Sequence, residues 1–174
     1  MKHLAWLLCF VGLLALEAPL LRSAEHAWLV PDVLVLGAIY LGSRGDWAAG
    51  LLTAAAVGLF KDGFSLAAPV GVFTEIGALG FLATRLVGQR VDLGSPMPTM
   101  ATCGVGTFIA TGLFLLFELI FHRAFGAFEE ALRAVPSIAL GTMLLALPVF
   151  AGLDRVGALF DRGERMRGVS RRLR

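Results

Sequence analysis

Few residues in this chain have chemistry to offer. Lys61 and Asp62 stand side by side at the end of an apolar run, in "GLFKDGFSLAAPVG" (residues 58–71), and Glu17, Glu75 and Glu118 lie within or near the ends of other apolar runs. An ionisable group in such surroundings is costly unless it faces protein or water, so each is a candidate for proton or ion handling. Glu75 is the deepest by position, about 9 Å into a helix that starts at Pro69. A coupled transporter would match such an acid with a cation deep in another helix, and none stands out, which leaves a structural or interfacial glutamate as the plainer reading.

His3, His26 and His122 all fall at segment edges, where a histidine is usually a solvated interface residue. Cys9 and Cys103 sit inside apolar runs with no second Cys or His at ligand spacing, so they read as packed small residues and imply neither a metal nor a disulfide. H-E-x-x-H, G-x-S-x-G and Walker patterns are missing, and the glycines of "CGVGTFIATG" follow no strand, so no catalytic signature or cofactor site emerges.

The elements around these residues are those of a membrane protein. Hydrophobic residues make up 57% of the 174 and charged residues only 16%, and the mean hydropathy is +0.80. Apolar runs at residues 4–21, 28–41, 47–60, 69–87, 97–121 and 135–153 predict six helices, since they lack the alternation of an outer-membrane strand and an open sheet would leave backbone groups unpaired in lipid. The expected fold class is an all-α polytopic membrane protein with about six transmembrane helices in one bundle: a membrane domain over residues 1–153 and a basic tail over 154–174. The second and third runs are about 21 Å long against a hydrocarbon core of roughly 30 Å, so either their flanks extend them or they form a shallow hairpin. The first run imitates a secretory signal, but no small-x-small site follows it, and it is read as a retained span.

Charge sets the orientation. With the N-terminus inside, the inner segments hold Lys2, Arg44, Arg85, Arg90 and the seven arginines after Leu153, and the outer ones hold Arg22, Lys61, Arg123 and Arg133. That asymmetry places both termini in the cytoplasm. Trp6, Trp28 and Trp47 each open a run and read as headgroup anchors. Gly50, Ala54 and Gly58 recur every fourth residue, as do Thr102, Gly106 and Ala110, a spacing that lets helix backbones approach closely in lipid. In the tail, Val156, Leu159 and Phe160 follow helical spacing among arginines, which suits an anionic inner leaflet and not nucleic acid.

In "GLFKDGFSLAAPVG", Gly63 is expected to permit a left-handed turn and Pro69 to open the next helix. Asp62 is expected to cap N–H groups in the turn, and Lys61 to snorkel toward lipid phosphates. Read with its neighbours, the stretch resembles the MreD family of bacterial rod-shape-determining membrane proteins. Gly58, Leu59, Asp62, Pro69, Val70 and Gly71 are similar to that family's G-L-x-x-D turn and Pro/Leu-Gly pair. "VPDVLVLGAIYLG" resembles its second hydrophobic segment, with Pro31, Asp32 and Tyr40 in place, and "LALPVFAGLDRV" its closing span, with Pro148.

The resemblance implies a non-enzymatic inner-membrane component of the cell-elongation machinery, which supports peptidoglycan synthesis and cell shape. Its implied partners are an MreC-like periplasmic scaffold, the RodA polymerase with its penicillin-binding transpeptidase, and MreB filaments. It also implies a fold similar to the substrate-binding subunits of energy-coupling-factor transporters. A small-molecule-binding subunit of a vitamin or metal importer is the alternative that shares this architecture. A lipid-modifying enzyme would need clustered carboxylates or histidines that the chain does not display.

Overall fold

The computed structural model describes residues 2–22, 30–65, 71–121 and 126–172, with side chains described except over 18–22, 126–131 and 161–172. Among the described residues six helices follow one another: α1 (Lys2–Arg22), α2 (Val33–Arg44), α3 (Trp47–Phe64), α4 (Val72–Val87), α5 (Pro96–Phe121) and α6 (Gly126–Arg172). No strand occurs among these residues. α3 and α4 run antiparallel, as cross-contacts show: Gly50 meets Phe81 at one end of the pair and Gly58 meets Phe73 at the other.

α5 and the Leu132–Phe160 stretch of α6 are long and apolar enough to cross a membrane. Most of both stretches faces outward, carrying exposed Val105, Ile109, Ile120, Leu140 and Leu144. A contiguous apolar surface of that kind is rare on a protein surrounded by water.

α2 is the central helix. Every residue from Val33 to Gly42 is buried, and all five other helices contact it. A helix apolar on every face belongs inside. That explains its 12 residues, about 18 Å: the second apolar run stays short because protein wraps it. α3 is instead extended by its C-terminal flank to 18 residues, about 27 Å.

The small-residue face of α3 packs on α4. A side chain at Gly50 would come within 2.8 Å of the Phe81 ring, and one at Gly77 within 2.8 Å of the Ala54 carbonyl oxygen. On α5, Gly106 lies against Val35 and Ile39 of α2, Ala110 is buried, and the Thr102 hydroxyl turns back to the Pro98 carbonyl.

One end of the helix array is tied by polar contacts. Trp6, placed at a headgroup interface by its sequence position, is instead buried in an aromatic cluster with Phe10, Tyr40 and Phe150. Its indole N–H donates to the Leu153 carbonyl at 3.2 Å, and Gly157 leaves room for the ring. Packing against α2 and α6 satisfies both the ring and its polar edge, which an exposed site would do only in part. Trp47 stays exposed and Trp28 lies outside the described residues. Close by, the Tyr40 hydroxyl donates to Asp154 at 3.0 Å, Arg44 pairs with the same carboxylate at 3.1 Å, and Arg85 donates to the Gly45 carbonyl. Asp46 receives His3 and Lys2; the hydrogen bond from His3 and the neighbouring ammonium hold this exposed carboxyl below its usual range.

α6 continues as helix beyond residue 153, where the sequence divides membrane domain from tail. Pro148 and Pro136 both lie within it, and Pro148 is exposed. Leu159 is exposed, whereas Val156 packs against the core.

Candidate functional site

At the opposite end, the last turns of α1 and α3 meet the first turns of α2 and α4. Asp32 ends the extended segment after Pro31 and caps α2: its Oδ1 accepts the backbone N–H groups of Leu34 at 3.1 Å and Val35 at 3.4 Å. A carboxylate here satisfies donors that have no partner within the helix and lies at the positive end of its dipole. The Asp32 backbone N–H donates to Thr142 Oγ1 at 2.9 Å, tying the cap to α6.

Lys61 does not snorkel outward. Its ammonium turns into the protein, donating to Asp32 Oδ1 at 3.0 Å and to Glu17 Oε1 at 3.1 Å, with the Phe73 ring centroid 5.3 Å away. The three side chains are largely shielded, with 17% of Lys61, 16% of Asp32 and 10% of Glu17 exposed. Two carboxylates inside the helix array offer the lysine a stronger partner than solvated phosphates would, because the surroundings screen the attraction less. Glu17 therefore has the cation that no reading of its own segment reveals. Its second oxygen, Oε2, is buried without a hydrogen-bond partner among the described residues.

Asp62, one residue on, points to α4. It is 5% exposed, and its carboxylate accepts Phe73 N–H at 3.0 Å, Thr74 N–H at 3.1 Å and the Thr74 hydroxyl at 2.7 Å. The expected capping role holds, with a different target: Asp62 caps the next helix across the turn, not the turn itself. Gly58, one turn earlier, lets α3 touch this cap, since a Cβ there would overlap the Phe73 carbonyl and lie 2.6 Å from Thr74 Cα.

Among the described residues of this joint the left-handed one is Gly71, with φ 108°, and not Gly63, which is helical within α3 and has open space around it. Gly71 has no Cβ to oppose that φ and stands immediately before α4. Pro69 and Val70 lie outside the described residues.

Replacing Asp62 with alanine removes three charge-assisted bonds at a helix start. The expected cost is about 2–3 kcal/mol, with Asp62→Asn intermediate because one acceptor oxygen survives. Thermal unfolding of the purified protein in detergent should rank wild type above Asn above Ala, and equal stability of all three would mean that the cap contributes nothing to holding α4 in place.

Between these elements lies a cavity of about 550 Å³ whose lining includes Glu17, Asp32, Lys61, Phe73 and Phe114. It is apolar over most of its wall, with the charged group at one side. Glu75, the deepest acid by sequence position, does not line it: it is exposed in the first turn of α4. Burial follows which face of a helix a residue occupies, and distance along the run does not reveal that. Glu118 is partly buried in the last turn of α5. His26 and His122 lie outside the described residues.

The sequence singles out Glu17, Asp32 and Lys61 separately and misses their convergence. The available signal is topological: helices that alternate in direction place the end of α1, the start of α2 and the end of α3 at one face. Among the described residues, no three His, Cys, Asp or Glu side chains converge as metal ligands. The chemistry on offer is ion pairing and hydrogen bonding beside an apolar cavity. No protein-family model, curated protein or solved structure matches the chain, so its role is read from these residues.

Proposed function

We propose that this chain is an MreD-like inner-membrane component of the bacterial elongation machinery. In this reading it is non-enzymatic, binds an MreC-like periplasmic partner and supports peptidoglycan synthesis with RodA, its transpeptidase and MreB. The observation that carries the reading is that four of the residues on which the resemblance rests, Asp32, Gly58, Asp62 and Gly71, lie at one end of the helix array. Gly58, Asp62 and Gly71 build one joint between α3 and α4, and Asp32, which caps α2, is tied to α3 beside it by Lys61. Residues spaced along the sequence in the family's order serve one structural unit, as a shared architecture requires.

The same reading includes six membrane crossings, a fold like that of energy-coupling-factor substrate-binding subunits, and both termini in the cytoplasm with the basic tail on anionic lipid. In support, Lys2, Arg44 and Arg85 gather at one end of the array, the end the positive-inside rule assigns to the cytoplasm. A Gln89→Cys variant, in the connection from α4 to α5, should be protected from a membrane-impermeant maleimide in intact spheroplasts, whereas Gly63→Cys should be labelled. The reverse pattern would invert the topology.

The cavity favours a second reading, a small-molecule-binding subunit of an importer. Co-expression with an MreC-like coiled-coil protein, followed by affinity capture in mild detergent, separates the two. Stoichiometric retention of the partner supports the scaffold reading. Loss of the partner with a vitamin or metal retained on the purified chain supports the importer.

A further inference from the structure

The ion cluster at the cavity wall is unbalanced. Among the described residues one lysine serves two carboxylates, so with both ionised these three groups carry one surplus negative charge, and that charge has an open valence at a defined atom. Lys61 occupies Glu17 Oε1, while Oε2, on a side chain nine-tenths shielded, makes no hydrogen bond among the described residues; the Val33 backbone N–H is the one backbone donor among them that acts on this carboxylate, and it leaves Oε2 unsatisfied. A buried carboxylate oxygen without a donor is an expensive arrangement unless something supplies the donor.

Glu17 lines the cavity, which is of the size that holds small organic ligands. An anionic ligand would meet the surplus charge, and a ligand without N–H or O–H would leave Oε2 unpaired. An apolar part of the lining adjoins the ion cluster: Phe73 and Phe114 stack with ring centroids 5.3 Å apart and planes 8° from parallel. Phe73 already has an ammonium, that of Lys61, 5.3 Å from its centroid, an environment compatible with a cation near the aromatic face.

We propose that this cavity binds an amphiphilic primary amine, whose ammonium donates to Glu17 Oε2 and whose apolar body lies along Phe73 and Phe114. The ammonium brings the site to neutrality and supplies the missing donor, and the body fills the apolar volume. Two sources carry this chemistry, a free amphiphilic amine and the ethanolamine headgroup of a phospholipid. The site is independent of the scaffold role: binding is read on the isolated chain, whereas partner capture is read on the pair.

The probe is phenethylamine, titrated calorimetrically into the full chain in maltoside detergent, with 2-phenylethanol as its uncharged counterpart. Wild type should bind the amine about tenfold or more tightly than the alcohol, and Glu17→Gln should lose about that factor, because the amide keeps an acceptor for Lys61 but removes the charge. Equal affinity of wild type for amine and alcohol overturns the proposal, whether or not the variant folds. So does a folded Glu17→Gln variant that binds the amine as well as wild type.

Repeating the titration in nanodiscs of phosphatidylethanolamine and of phosphatidylcholine, whose quaternary ammonium has no N–H, identifies the source. Weaker amine binding in the former marks the lipid headgroup as occupant, and equal binding marks a free amine; either result sustains the site.

Discussion

Lys61→Met is expected to destabilise the protein by about 3–5 kcal/mol, the range for removing one partner of a buried ion pair. Methionine matches the length of the lysine stem, so the loss is electrostatic more than steric. Asp32 keeps its two backbone donors from α2. Glu17 loses the ammonium that donates to its Oε1 and is left a shielded carboxylate whose Oε2 already makes no hydrogen bond among the described residues. Adding Glu17→Gln to Lys61→Met should recover a substantial part of the loss, because it removes the uncompensated charge. The pair should therefore be strongly non-additive. Thermal unfolding of the four proteins of this cycle in detergent measures the coupling, and additive effects would mean that Lys61 and Glu17 do not depend on each other in the folded protein.

Gly58 is the second site of large effect. A Cβ at this position meets the backbone of Phe73 and Thr74, with Thr74 Cα at 2.6 Å. Backbone cannot swing away as a side-chain tip can, so α3 and α4 must separate, and that would lengthen the hydrogen bonds by which Asp62 holds the start of α4. Gly58→Ala should cost about 1–3 kcal/mol and Gly58→Leu more, reducing the amount of folded protein recovered from membranes. Gly63 lies further along the same helix, and a Cβ there would have nothing within 4 Å. Gly63→Ala should therefore be neutral or stabilising by about 0.5–1 kcal/mol. Similar losses at both glycines would point to a general requirement for flexibility in α3 and would remove the close contact at Gly58 as the cause.

Much of the helical framework is legible in the sequence. Apolar runs bounded by charged or Gly/Pro-rich turns predict six helices, and six are present among the described residues, because a run of such residues must satisfy its backbone internally wherever water is scarce. The four-residue spacing of Gly50, Ala54 and Gly58 announces a face for close approach, and α4 lies on that face. Asp62 is readable as a cap because a carboxylate beside a turn has few cheaper uses. Two expectations fail for one shared reason. Sequence position assigns Trp6 to an interface and Lys61 to lipid phosphates, and in both cases position along a run stands in for position around a helix.

The sequence by itself determined the helical class, the order of apolar segments and the residue types available at each turn, since these follow from backbone satisfaction, hydropathy and local turn chemistry. Only the tertiary structure decided which charges meet. Glu17, Asp32 and Lys61 are separated by 15 and 29 positions in the chain, and their contact depends on how α1, α2 and α3 are rotated about their axes as they pack. An electrostatic interaction of a few ångströms is set by that rotation, and a pattern read along one helix at a time carries no information about it.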